Sequence, residues 1–148
     1  MLTVIIDARA DAERLPALLA QLTAGAVDGL VKQVAIVAAA DQPGIDLLCE
    51  DMGADAFPSL EAAAVAARGE RLLVVPAELR LRDGWIGALE AHLAAGGAPA
   101  LVEGLGKGGL FVRPPCGVLV ERDRLKGRRG ADLQRLRREL GLRPRRIG

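Results

Sequence analysis

Short, wholly apolar runs alternate along this chain with stretches in which leucine returns every three or four positions. Leu2-Thr3-Val4-Ile5-Ile6 is β-branched and apolar, as a central parallel strand must be, and Asp7 ends it. Leu15, Leu18, Leu19 and Leu22 then fall on one helical face, which predicts a helix from Asp11 to Thr23 with Asp11 as N-cap or first-turn acid. Gly25 to Gly29 is the expected connection. Val31–Val37 is a second strand, followed by the loop Ala38-Ala39-Ala40-Asp41-Gln42-Pro43-Gly44. Ile45–Met52 is a helix closed by Gly53. Ala54–Phe57 is a short strand stopped by Pro58, and Ser59 is placed to cap a helix over Leu60–Ala67. Leu72–Val75 is a fourth strand that breaks off at Glu78. Asp83 is expected to cap a helix reaching Ala95, ended by Gly96-Gly97.

Strands alternating with helices over short links predict an α/β fold: three layers, αβα, around a mostly parallel Rossmann-like sheet. Beyond residue 95 the pattern weakens. Ala98–Val102 and Gly117–Val120 are strand-like, and 104–109 and Pro114-Pro115 are loop. Ala131–Leu140 carries Leu133, Leu136 and Leu140 on one helical face, and Leu142–Ile147 is expected as a last, basic edge strand. With no repeat and no linker, residues 1–148 are expected to be a single domain, with 1–95 as one half and a shorter, basic half over 96–148.

Composition narrows the functions. Hydrophobic residues make up 51% and charged residues 26%, so the chain has a core to bury. Aromatics are only 2% and Tyr is absent, which disfavours stacking on single-stranded nucleic acid. Cys49, Cys116 and the lone His92 have no metal-ligand spacing, so they are expected to be reduced thiols and an ordinary histidine. No signal-like opening and no apolar run of ~18 residues is present, so a cytoplasmic location is expected. Charge is uneven: from Glu121 to Gly148 eleven basic residues face four acidic ones, a surplus of seven, whereas the whole chain is at +1 and residues 1–120 at −6. That segment suits an anionic membrane surface or an acidic partner.

Several chemistries are excluded by absence. The loop after the first strand, Asp7-Ala8-Arg9-Ala10-Asp11, has no glycine for a dinucleotide fingerprint. The glycine-rich Gly104-Leu105-Gly106-Lys107-Gly108-Gly109 does not lead from a strand into a helix, so it is a flexible loop before it is a phosphate cradle. No Ser-His-Asp set exists. What remains are Asp7, Asp41 and Glu78 at three strand ends, where open α/β sheets bind ligands. Either they line one crevice and hold a nucleotide with its divalent cation, or Asp7 and Asp41 cap helices and Glu78 is solvated.

Residues 1–95 resemble the nucleotide-binding half of a family-2 glycosyltransferase of the GT-A fold, in its short bacterial branch. The resemblance lies in Val4-Ile5-Ile6 followed by Asp11 to Leu19, in Val27 to Val37, in Gly53-Ala54-Asp55, in Ala66 to Leu73, and in Leu81-Arg82-Asp83-Gly84-Trp85. It implies transfer of a sugar from a nucleotide-sugar donor with Mg²⁺ or Mn²⁺ on the diphosphate. In that frame Glu78 would hold the metal, Asp7 and Asp41 would line the donor pocket, and Asp132 would be the catalytic base; by position alone, Asp132 is the first-turn acid of the last helix.

The departures from the family are specific. Its base- or ribose-binding acid and the Gly-Ser or Gly-Gly-Ser that follows fall on Ala38, Ala39, Ala40 and Asp41, the first acid of its metal motif, or the His of the short branch, falls on Pro76, and the last acid falls on Glu78. Each lost hydrogen bond to a charged group costs ~1.5–3 kcal/mol. The resemblance with these departures implies a transferase with weak or lost activity. A second reading is a non-catalytic binding or scaffold module that dimerises and uses its basic C-terminal segment on a partner. A nucleotidyltransferase of similar fold would want a basic, glycine-rich loop after the first strand, of which Arg9 and Arg14 are an echo.

Overall fold

The computed structural model describes residues 2–10, 12–105, 115–125, 132–139 and 145–147. Among the described residues seven strands form one sheet: β1 (Leu2–Asp7), β2 (Val31–Val37), β3 (Asp55–Phe57), β4 (Arg71–Pro76), β5 (Ala100–Glu103), β6 (Cys116–Glu121) and β7 (Arg145–Ile147). Five α-helices accompany them among the described residues: α1 (Leu15–Val27), α2 (Ile45–Met52), α3 (Leu60–Ala66), α4 (Trp85–Ala94) and α5 (Leu133–Glu139). The strand order is β3-β2-β1-β4-β6-β5-β7. All neighbours run parallel except β6, which is antiparallel to both β4 and β5. The predicted α/β class and mostly parallel sheet are therefore what the chain adopts.

Alternation along the strands builds two cores. Leu2, Val4 and Ile6 of β1, with Leu73 and Val75 of β4, face the leucines of α1, Ile45 of α2, and Trp85 and Leu89 of α4. Ile5, Leu72, Val74, Val118 and Val120 face Leu60 and Ala63 of α3 and Leu136 of α5. The sheet is thus covered on both sides, as parallel strands require.

Several element boundaries differ from expectation. The first helix does not start at Asp11: Ala12–Arg14 form a 3-10 turn, and α1 begins at Leu15 with Arg14 in the N-cap position and Pro16 in its first turn. α1 runs on to Val27 through Gly25, which the sequence assigns to a connection. Gly25 is held in a close approach: a Cβ there would come within 2.5 Å of the Trp85 ring and 2.9 Å of Val31. Glycine here makes room for the only Trp. Asp83 does not cap α4. Gly84 occupies that position at φ +80 with no side-chain cap, and the Trp85 amide donates to the Arg82 carbonyl. Ser59 does cap α3, its hydroxyl oxygen accepting from the Ala62 amide at 3.1 Å. Asp11, Ala131, Leu140, residues 142–144 and most of the glycine-rich loop lie outside the described residues.

Candidate functional site

The carboxyl edge of the sheet is where β1, β2 and β4 stop together. Asp7 is registered with Val37 of β2 on one side and with Pro76 of β4 on the other. Because β6 runs the other way, it begins at this edge, bringing Pro115 and Cys116 alongside. α5 lies on β4 and β6 and closes the far wall. The result is a cleft of ≈ 390 Å³ between the sheet edge and α5, bordered by Asp7, Pro76, Glu78, Asp132, Gln134 and Arg137. An adjoining hollow of ≈ 290 Å³ shares Asp7, Pro76 and Glu78 and adds Arg9.

Three of the four sequence-predicted site residues, Asp7, Glu78 and Asp132, border this cleft. Asp41 is exposed on the loop after β2 and does not border it. That loop is instead tied down by Gln42, whose amide nitrogen donates to the Ala8 carbonyl at 2.8 Å while its oxygen accepts from the Ala39 amide at 3.1 Å. Gln42 has no charge and no motif, so it went unnoticed in the sequence.

Asp7 is already engaged. Arg9 Nε donates to its Oδ1 at 3.0 Å and Arg9 Nη2 to its Oδ2 at 2.8 Å, and the Arg9 amide adds a third bond at 3.2 Å. Burial raises the Asp7 carboxyl, but the Arg9 hydrogen bonds and charge outweigh it and hold the group below its ordinary value. The same contacts push the Arg9 guanidinium upward. The pair forms because the chain bends just past the end of β1, bringing the Arg9 amide and guanidinium back onto the Asp7 carboxylate.

Glu78 sits in a turn held from both sides. Arg80 donates to the Leu79 carbonyl at 2.7 Å, to that of Ala77 at 3.3 Å, and across to that of Arg14 at 3.0 Å. Its neighbour Leu81 is clamped by Gln21 of α1. The Glu78 carboxylate itself has no partner among the described residues, and the same holds for Gln134 and Arg137. Asp132 is half committed: its Oδ1 accepts from the Arg135 amide at 2.7 Å, capping α5.

A divalent ion finds a poor set of donors here. Among the described residues no three His, Cys, Asp or Glu side chains converge to hold one. Asp7 is forked onto Arg9, Pro76 has no ligating side chain, and the Arg9 guanidinium borders the hollow beside Glu78, adding positive charge where a cation would sit. The residues present therefore do not fit the metal that the fold suggests. Among the described residues no helix is long and apolar enough to cross a membrane.

No family model and no curated protein matches the chain. Solved structures do. Glucosyl-3-phosphoglycerate synthase from Mycobacterium tuberculosis, solved with Mn²⁺, UDP and glucosyl-3-phosphoglycerate, superposes at TM-score 0.60 and 14% identity over 83% of this chain and 57% of that one. Mannosyl-3-phosphoglycerate synthase from Rubrobacter xylanophilus gives 0.61 and 16%, over 83% of this chain and 54% of that one. A 4-diphosphocytidyl-2C-methyl-D-erythritol synthase gives 0.63 and 13%, over 99% of this chain and 87% of that one.

The fold is GT-A-like and nucleotidyltransferase-like. At these identities the likeness is one of fold. The chain spans little more than half the length of the two phosphoglycerate synthases.

Proposed function

We propose that this chain is a single-domain homologue of the nucleotide-sugar transferases, built on their fold, in which metal-dependent transfer is weak or lost and the cleft persists as a ligand-binding site. The observation that carries this reading is the row Arg9–Asp7–Pro76 at the sheet edge: an acid neutralised by its own arginine, beside a proline in the register where a ligating acid is expected. Support for the ancestry comes from the fold shared with structures that hold UDP and Mn²⁺. Among the described residues bordering the cleft, Glu78 is the one carboxylate with no partner, and Asp132 retains one free oxygen at the opposite wall.

The test is calorimetric titration of UDP and of GDP, each with and without Mn²⁺, into the parent protein and Glu78→Ala. Binding no tighter than millimolar, and unchanged by Mn²⁺, is expected. Micromolar binding that requires Mn²⁺ and disappears in Glu78→Ala would overturn the proposal and restore a metal-dependent donor site.

A further inference from the structure

The uncommitted groups of the cleft form a set of their own. Glu78 enters from the turn after β4, and Gln134 and Arg137 enter from α5. None of the three has a hydrogen-bond or ion-pair partner among the described residues, and Glu78 and Arg137 do not pair with each other across the gap. Arg137 is partly buried, and its fork of donors, with no anion among the described residues, is open to a carboxylate or phosphate. Among the described residues nothing supplies that anion: Asp7 belongs to Arg9, and Asp132 caps its own helix.

We infer that the cleft binds a small sugar monophosphate without metal, its phosphate on Arg137 and its hydroxyls on Glu78 and Gln134. This rests on the reading above that the metal-dependent donor site has lapsed. Arginine is the residue suited to a phosphate in bidentate geometry. A free carboxylate and an amide suit vicinal hydroxyls, since one accepts and the other both accepts and donates. Pro76, Pro115 and Leu133 supply an apolar wall for the carbon face of the ring. At ≈ 390 Å³ the cleft lies within the ~300–1,000 Å³ range of small-molecule sites and has room for a sugar phosphate. Glu78 also disfavours bare phosphate relative to a ligand that presents hydroxyls on that side, so selectivity is part of the inference.

The experiment titrates glucose-1-phosphate, inorganic phosphate and glucose in EDTA, followed by backbone amide shifts and calorimetry. Glucose-1-phosphate is expected to bind most tightly and to shift residues of α5 and the Glu78 turn. Arg137→Ala should weaken it ~10-fold or more. Arg138→Ala, which removes the same charge from an exposed position outside the cleft, should leave it unchanged. Arg137→Lys, which keeps the charge and the packing stem, should show a partial loss and guards against a folding defect in the alanine variant. Glu78→Gln should narrow the preference for the sugar phosphate over phosphate. No saturable binding in EDTA, equal affinity for phosphate alone, or equal losses in Arg137→Ala and Arg138→Ala would each overturn the inference. These arms contain no metal and no nucleotide, so they succeed or fail independently of the Mn²⁺ titration.

Discussion

Gln21 and Leu81 exchange two hydrogen bonds: the Leu81 amide donates to Gln21 Oε1 at 2.8 Å, and Gln21 Nε2 donates to the Leu81 carbonyl at 3.0 Å. A side-chain amide on α1 thus imitates a strand neighbour for the segment just after Glu78. Gln21→Leu leaves both backbone groups without partners in a partly buried site. It is expected to lower unfolding stability by about 1–3 kcal/mol in urea titrations. A change below the error of the measurement would show that water replaces the amide freely.

Gly104 has no room for a side chain. A Cβ there would run into Leu79 and lie 2.8 Å from the Arg80 carbonyl oxygen and 3.1 Å from that of Pro115. Two of these three neighbours are backbone, and Gly104 also bridges to Leu81, so the conflict cannot relax through a rotamer change. Gly104→Ala should destabilise the fold by about 1–3 kcal/mol and loosen the Glu78 turn. Thermal unfolding measures the first effect and hydrogen exchange at Leu79 and Leu81 the second. Gly87→Ala, which meets nothing within 4 Å, is the control expected to be neutral or stabilising.

The Asp7–Arg9 pair ties stability to acid. With the folded carboxyl held below its ordinary value of 3.8, the unfolded chain binds more protons as pH falls. The contribution is therefore complete above the ordinary carboxylate value and is lost as pH drops through the folded one. The pair is partly exposed, with side-chain accessibilities of 21% for Asp7 and 43% for Arg9, so it is worth less than about 1 kcal/mol. Asp7→Asn should flatten the acid limb of a stability–pH curve below about pH 4. An acid limb identical to that of the parent would show that other carboxylates carry it.

Arg9→Ala frees the Asp7 carboxylate and removes a cation from beside Glu78. Binding of Mn²⁺ alone, followed by paramagnetic broadening of amide signals near Asp7 and Glu78, is expected to strengthen relative to the parent. Equal broadening in both proteins would mean that Arg9 does not guard this edge.

Cys49 is buried on α2, and its thiol is pushed up, mostly by burial and then by the charges of Asp46 and Asp55. Fewer thiolates and little access both slow alkylation. Iodoacetamide should modify Cys49 slowly at neutral pH and at a rate that rises with urea. Rapid labelling in native buffer would contradict the packing of α2.

Most of the sheet was legible because apolar runs are what doubly covered strands look like, and β2 and α2 begin and end where the pattern places them. Pairwise accommodations between distant residues were not legible. That position 25 has no room for a side chain follows from Trp85, far away in sequence, which packs against it. Gly84 rather than Asp83 opens α4, a difference that depends on one residue's backbone sign. At the cleft, the acids could be named from their strand ends, but not their engagements. That Asp7 is forked by Arg9, that Asp132 gives an oxygen to α5, and that Asp41 stands apart on its loop are facts of side-chain direction. The reversal of β6, which brings Cys116 to the cleft, is topological and leaves no trace in periodicity.

The Arg9 guanidinium has one more consequence. A site that takes its positive charge from a dissolved ion changes character with the supply of that ion, and a chelator can empty it. Here the positive charge at the sheet edge is part of the polypeptide, fixed to its acid by two side-chain hydrogen bonds. The electrostatics of this edge are therefore inherited with the gene rather than set by the surroundings. Over the pH range in which the fold persists, they are altered by mutation and not by a cell's metal content.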